Sequence, residues 1–201
     1  MPDDLQSRFR ALIPAAPLRG SFFRAIPLAR VGAPLSAIGS IKRGGRYNGK
    51  GEFEVFYIAD RPDNSLREIG MLNDDNGTPV AVPGAAHVLF TVEVTLQHVV
   101  DLRDPRVRST LGVSLDELVS AWRLVVAQGH VPITHIIGAA ARNAEVEALL
   151  VPSAKYPGST NLAIMRDRLR RNSVVLIRRS EDFPVGTEVA IRGSYRRRGA
   201  R

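Results

Sequence analysis

The sequence predicts an α+β fold built from mixed or antiparallel sheets with short helices. Residues 86–95 alternate apolar and polar strictly, with Val88, Phe90, Val92 and Val94 on one face and His87, Leu89, Thr91 and Glu93 on the other. That is the pattern of a half-buried strand. Helix-start signals occur at Ser65 and Ser114. Strands and helices also follow one another without the regular βαβ rhythm of a doubly wound sheet.

Taken in order, residues 1–20 are rich in Pro, Ala and Leu, show no clean period, and read as an N-terminal extension. Residues 54–59 (EVFYIA) are short, apolar and rich in strand formers. Ser65-Leu66-Arg67-Glu68 forms a capping box and predicts a short helix to about residue 72. Ser114 and Glu117 form a second box, opening a helix over 114–128. Its apolar stripe is Leu118, Trp122, Val125 and Val126, and Gly129 stops it. A brief helix is expected over 143–149, with strands at 150–153, 161–165, 174–178 and 188–192. The expected organisation is the extension, a main domain over 21–165, and a basic C-terminal segment over 166–201 with short strands.

A chain of 201 residues can bury roughly 70% of its unfolded surface and needs no metal or disulfide staple. It has no cysteine, which excludes disulfides, cysteine nucleophiles and thiolate zinc sites. No apolar run approaches the roughly 18 residues that span a bilayer. The start is acidic (Asp3, Asp4), and prolines interrupt its best apolar stretch, so a cytoplasmic protein is expected. The net charge of +8 is localised: residues 166–201 hold 11 Arg against four acids, +7, leaving 17 basic and 16 acidic residues, +1, in the body. A basic tail binds nucleic acid or acidic partners, or is simply solvated.

The stretch 44–51 (GGRYNGKG) nearly matches a phosphate loop, but Gly51 stands where Ser or Thr would hold magnesium, and strand-like sequence follows it. The nucleoside-triphosphate reading therefore fails, because the helix that would hold the phosphates is missing. An anionic ligand still suits the stretch. Glycines allow close backbone approach, and Arg46 can fork two oxygens of a pyrophosphate. The alternative is a plain hairpin loop with a solvated Arg. Tyr57 shares a strand face with Val55 and Ala59 and either packs in the core or stacks on a planar ligand group. Glu68 either completes its capping box or stabilises a cation at a cleft. Ser153 lacks a triad pattern nearby, so a serine nucleophile is not expected. His87, His98, His130 and His135 show no HExxH spacing; His130 and His135 could pair on a metal, but loop or core positions are the expectation, and no metal is expected.

In order and spacing, these motifs resemble the RES domain. They are Phe22-Phe23-Arg24, Gly45-Arg46-Tyr47-Asn48 with Gly51, Val55-Phe56-Tyr57, Ser65-Leu66-Arg67-Glu68, and Val151-Pro152-Ser153 ahead of Asn161-Leu162. Tyr47 departs from the Trp more usual in that family. The resemblance implies an ADP-ribosyltransferase-like fold and a toxin of a bacterial toxin–antitoxin pair that depletes NAD+ by hydrolysis or phosphorolysis. NAD+ is then substrate, with no separate cofactor. The implied partner is a cognate antitoxin, a DNA-binding protein of the Xre type, and direct nucleic-acid binding is not expected outside such a complex.

The resemblance also implies roles. Glu68 stabilises the oxocarbenium-like ribose, worth roughly 4 kcal/mol at an effective dielectric near 20, or on the order of a thousandfold in rate. Arg46, helped by Arg24, holds the pyrophosphate. Tyr57 stacks on nicotinamide, Ser153 bonds near the carboxamide or ribose, and Asn48 contributes to NAD+ binding. The alternatives are protein mono-ADP-ribosylation with NAD+, and a nucleic-acid-binding module working through the Arg-rich C-terminus.

Overall fold

The computed structural model describes residues 2–12, 16–75 and 78–195. The first half of the chain runs α1 (Pro2–Ala11), β1 (Ala16–Pro27), α2 (Ile38–Arg43), β2 (Val55–Ala59), α3 (Pro62–Glu68), β3 (Leu72–Asp75), β4 (Thr78–Ala81) and β5 (His87–Asp101). The second runs α4 (Pro105–Leu111), α5 (Leu115–Val119), α6 (Trp122–Ala127), α7 (Ile133–Asn143), β6 (Ala148–Pro152), β7 (Thr160–Met165), β8 (Val174–Ile177) and β9 (Ala190–Arg192). The α+β class is as the sequence predicts. Arg196, Arg197, Arg198 and Arg201 of the basic segment lie outside the described residues.

The strand order is β1-β2-β7-β6-β5-β8-β9, and β1 also pairs with β5, so the sheet folds back on itself. Every pairing is antiparallel except β5 with β6, whose crossover carries α4 to α7. The alternation in β5 decides this architecture. Phe90, Val92, Val94 and Leu96 point inward, where they meet Phe22 and Ile26 of β1, Phe56 and Ile58 of β2, and Leu162 and Ile164 of β7. The outer face of β2, β6 and β7 carries Val55, Val151, Ala163 and Met165. It is covered by Leu5 and Phe9 of α1, Leu111 of α4, Leu118 of α5, and Ile137 and Ala141 of α7. Tyr57 packs on this outer, helix-covered face. The aperiodic first 20 residues thus supply a core helix and the start of β1, while β8 and β9 extend the sheet with residues from the basic segment.

Three local expectations are corrected. The helix over 114–128 is two helices, α5 and α6, because Ser120 is extended at φ −55°, ψ 161°. The Ser114–Glu117 capping box is present, with Glu117 N donating to Ser114 Oγ at 3.2 Å and Ser114 N to Glu117 Oε2 at 2.7 Å. The helix expected over 143–149 instead ends at Asn143, after which Glu145 turns left-handed at φ 64° and β6 begins. The true helix, α7, contains Gly138, where a Cβ would lie 1.8 Å from the Tyr47 carbonyl oxygen. Gly138 therefore lets the 44–51 loop rest directly on α7. Finally, α3 starts at Pro62 and not at Ser65, which is buried inside it.

Candidate functional site

Glu68 ends α3 and caps nothing at its start. A carboxylate at a helix C-terminus opposes the macrodipole, so helix stability does not explain it. Its Oε1 accepts hydrogen bonds from Ser153 Oγ at 2.8 Å and Asn161 Nδ2 at 2.6 Å. Asn161 is itself oriented, its Oδ1 lying 3.1 Å from Nδ2 of the fully buried Asn64. Asn64 Nδ2 also lies 3.1 Å from both Asp60 Oδ1 and the Thr160 carbonyl, and Asp60 Oδ2 accepts from Thr160 N at 2.9 Å. These contacts splice the end of β2, α3 and the start of β7 into one unit. The Glu68 side chain is exposed, and its Oε2 has no hydrogen bond among the described residues. One oxygen is anchored and the other is presented to solvent.

The 44–51 loop is built around the Tyr57 phenol. Tyr57 Oη accepts from Tyr47 N and donates to Asn48 Oδ1, both at 2.9 Å. Asn48 is fully buried and donates through Nδ2 to the carbonyls of Ser40 at 2.9 Å and Phe53 at 3.1 Å. A Cβ at position 45 would lie 2.5 Å from Tyr57 Oη, which is why glycine stands there. His135 Nε2 holds the Gly45 carbonyl at 2.9 Å, with its ring 5.4 Å from that of Trp122. Burial pushes the Tyr57 phenol well above its ordinary range, so it stays protonated and donates.

Arg46 leaves this loop half-buried, its Nη1 donating to the carbonyls of Leu118 at 3.0 Å and Ser120 at 2.7 Å. That capture marks the break between α5 and α6: the Leu118 carbonyl takes the guanidinium, and the Ser120 carbonyl accepts both the guanidinium and Trp122 N, the latter at 2.9 Å. Its Nε and Nη2 have no hydrogen-bond partner among the described residues. Burial lowers the Arg46 pKa, while Tyr47, Glu68 and Tyr57 oppose that shift. Arg46 and Glu68 therefore sit in one electrostatic neighbourhood.

The structure brings together Arg46, Tyr57, Glu68 and Ser153. It does not bring Arg24 to them. Arg24 lies over the Phe56 ring at 4.1 Å, on the opposite sheet face from Tyr57, and donates to the carbonyls of Tyr57 and Ser36 at 2.9 Å each. It bridges the place where β1 and β2 diverge. Burial and the nearby Arg166 lower its pKa to about 10, so it remains cationic at neutral pH. Asn48 faces the loop interior, and Ser153 Oγ, besides donating to Glu68, accepts from the Lys155 and Tyr156 amides at 3.2 and 3.1 Å. Both are braces by geometry. Asn64 carries no signal in the sequence, and His135, expected as a loop or core histidine, is buried as expected. Asn161 stood in a quoted motif, but nothing local marked its amide as a partner for Glu68.

A cavity of about 460 Å³ lies beside Thr160, lined by Asp101, Arg103, Asp104, Pro152, Gly158 and Ser159. It contains none of the four clustered residues. Its charges are already paired, Arg103 with Asp101 at 2.7 Å and Asp104 with Arg106 at 2.8 Å, so it offers no free charge for a substrate.

The RES domain model matches residues 21–186. A protein of Mycobacterium tuberculosis described as a probable NAD(+) phosphorylase is 33% identical over 156 residues, covering 77% of this chain and 68% of the relative. Among solved structures, the crystal structure of the M. tuberculosis MbcT–MbcA toxin–antitoxin complex matches with a TM-score of 0.66 and 24% identity. That match covers 88% of this chain and 90% of the other. The likeness extends the shared fold to most of the described chain.

Proposed function

Because this chain belongs to the RES domain family, we propose that it is an enzyme that cleaves the nicotinamide–ribose bond of NAD+ and so depletes it. The observation that carries this reading is the one-sided saturation of Glu68: Oε1 is fixed by Ser153 and Asn161, and Oε2 is left exposed. A rigid, half-anchored carboxylate suits a developing positive charge, because it needs no reorganisation when that charge appears.

In the reaction the C1′–N bond breaks and its electron pair leaves with nicotinamide. Glu68 Oε2 stabilises the oxocarbenium-like ribose, and an oxygen of phosphate or water then attacks C1′. Phosphate is the favoured acceptor, since the curated relative is named for phosphorolysis. The Tyr57 hydroxyl is occupied within the loop, so its partly buried ring is what it offers to nicotinamide. Arg46 offers Nε and Nη2 to the diphosphate. Ser153 acts through Glu68, Asn48 through the loop, and Arg24 stays outside the site.

The same reading makes the chain a toxin held by an antitoxin of the Xre type in the cytoplasm. The matched fold comes from a toxin–antitoxin complex, which supports an antitoxin partner; its Xre type and the cytoplasmic location are carried over from the family resemblance and the sequence. An ADP-ribosyltransferase-like fold is part of this reading, carried over from the family resemblance.

The test is NAD+ loss with product identification, with and without phosphate, for the chain freed of any antitoxin beside Glu68→Gln. Free nicotinamide with ADP-ribose 1′-phosphate or ADP-ribose, absent in the variant, supports the reading. A labelled protein band would mean ADP-ribosyl transfer. No NAD+ consumption by the folded chain would end the proposal.

A further inference from the structure

One cation beside this site has no ion pair among the described residues. Arg123 is exposed in the first turn of α6, its guanidinium 4.7 Å from the centroid of the Trp122 ring. The ring of Trp122 is buried against His135, which holds the Gly45 carbonyl next to Arg46. From the other side, the Ser120 carbonyl accepts both Arg46 Nη1 at 2.7 Å and Trp122 N at 2.9 Å. Arg46 is therefore anchored on the Ser120 carbonyl, and Arg123 on the ring of Trp122, whose amide shares that carbonyl. Among the described residues, no carboxylate lies within 4.0 Å of either guanidinium.

We propose that Arg123 joins Arg46 in a two-guanidinium clamp for the diphosphate of a dinucleotide. This rests on the NAD+ reading above. Neighbouring guanidinium groups repel unless an anion lies between them, and a diphosphate offers oxygens on both sides for forked, charge-assisted bonds. Burial is the main reason the Arg46 guanidinium is depressed, and Arg123 adds to that depression, as two adjacent cations require. Stacking on Trp122 limits the freedom of the Arg123 side chain, so less entropy is lost when it closes on a ligand. Arg123 binds substrate in this scheme and takes no part in bond cleavage.

The experiment is calorimetric titration of ADP-ribose into the full-length wild type, Arg123→Gln and Arg123→Lys, alongside NAD+ turnover and thermal melting of each. Arg123→Gln should bind ADP-ribose about tenfold more weakly, with a flatter salt dependence. It should raise KM for NAD+ by a similar factor while kcat stays within about twofold. Arg123→Lys should recover only part of the loss, because it keeps the charge without the fork. Melting should be unchanged, as the side chain is exposed. Wild-type affinity in Arg123→Gln, or a wild type that consumes NAD+ but ignores ADP-ribose, overturns the clamp. ADP-ribose binding that depends on Arg123 in a chain that leaves NAD+ intact would remove the NAD+ reading and keep the clamp.

Discussion

Glu68 and Glu147 are both gripped by hydrogen-bond donors, yet they serve opposite ends. Glu147 is fully buried. Its Oε2 accepts from the amides of Gln97 at 2.5 Å and His98 at 2.7 Å. Its Oε1 accepts from Arg170 N at 2.6 Å and from Ser173 Oγ. With both oxygens saturated, it ties β5 and the start of β6 to the segment leading into β8. Glu68 has two donors on one oxygen and none on the other, and stands exposed. A carboxylate saturated on both oxygens is structural cement. One saturated on a single oxygen is oriented but still able to act.

The sharpest way to break this contrast is to neutralise each acid in turn. Glu68→Gln should reduce NAD+ turnover on the order of a thousandfold, matching roughly 4 kcal/mol of transition-state electrostatics. Its thermal stability should barely move, because the side chain is exposed. A variant that kept most of its turnover would deny Glu68 its role. Glu147→Gln should do the reverse, costing about 3 kcal/mol in urea unfolding by setting an amide NH2 against buried donors. Whatever folds should retain near-normal turnover. Equal losses of activity and stability in both variants would erase the distinction.

Smaller changes probe how Glu68 is held. Asn161→Leu removes one of the two donors to Oε1 and should lower kcat about tenfold, with KM for NAD+ little changed. A rise in KM with unchanged kcat would mean that Asn161 contacts substrate instead of orienting Glu68. The smallest effect concerns a carboxylate that belongs to neither hydrogen-bond network. Asp104 caps α4, accepting from Arg106 N at 2.8 Å, and the Arg106 side chain and amide hold its pKa down at about 2. A depressed carboxylate stabilises the fold above its ordinary pKa of 3.8, and that contribution is lost as pH falls through about 2. The melting gap between wild type and Asp104→Ala should therefore be full at pH 6 and shrink between pH 4 and 2. An equal gap at pH 2 and pH 6 would assign the stabilisation to something other than charge.

Much of the fold was legible where local pattern and burial agree. The alternation over 86–95 became β5, and the Ser114–Glu117 box formed as read. The sequence failed where a distant partner overruled a local signal. Ser65 and Glu68 satisfy the spacing of a capping box, but Pro62 at the first helical position starts α3 earlier and moves Glu68 to its end. The apolar stripe through 114–128 is continuous in sequence, but Arg46, more than 70 residues upstream, donates to the carbonyls of Leu118 and Ser120 where the helix breaks. The site shows the same division. Arg46, Tyr57, Glu68, Ser153 and Asn161 stand in an ordered set of motifs, while Asn64 and Arg123 carry no local mark.

By itself, the sequence determined the α+β class, the strands whose apolar residues alternate, and the family to which the motifs belong. Those properties depend on side-chain period and local order, which a single chain displays directly. Only the tertiary structure decided that Arg24 lies across the sheet from Tyr57, that Asn48 and Ser153 brace rather than face outward, and that Glu68 keeps one oxygen free. The physical reason is that hydrogen-bond saturation is a property of partners brought together by folding. Ser153 and Asn161 stand 85 and 93 residues from Glu68 along the chain, and only the closed sheet sets them beside it.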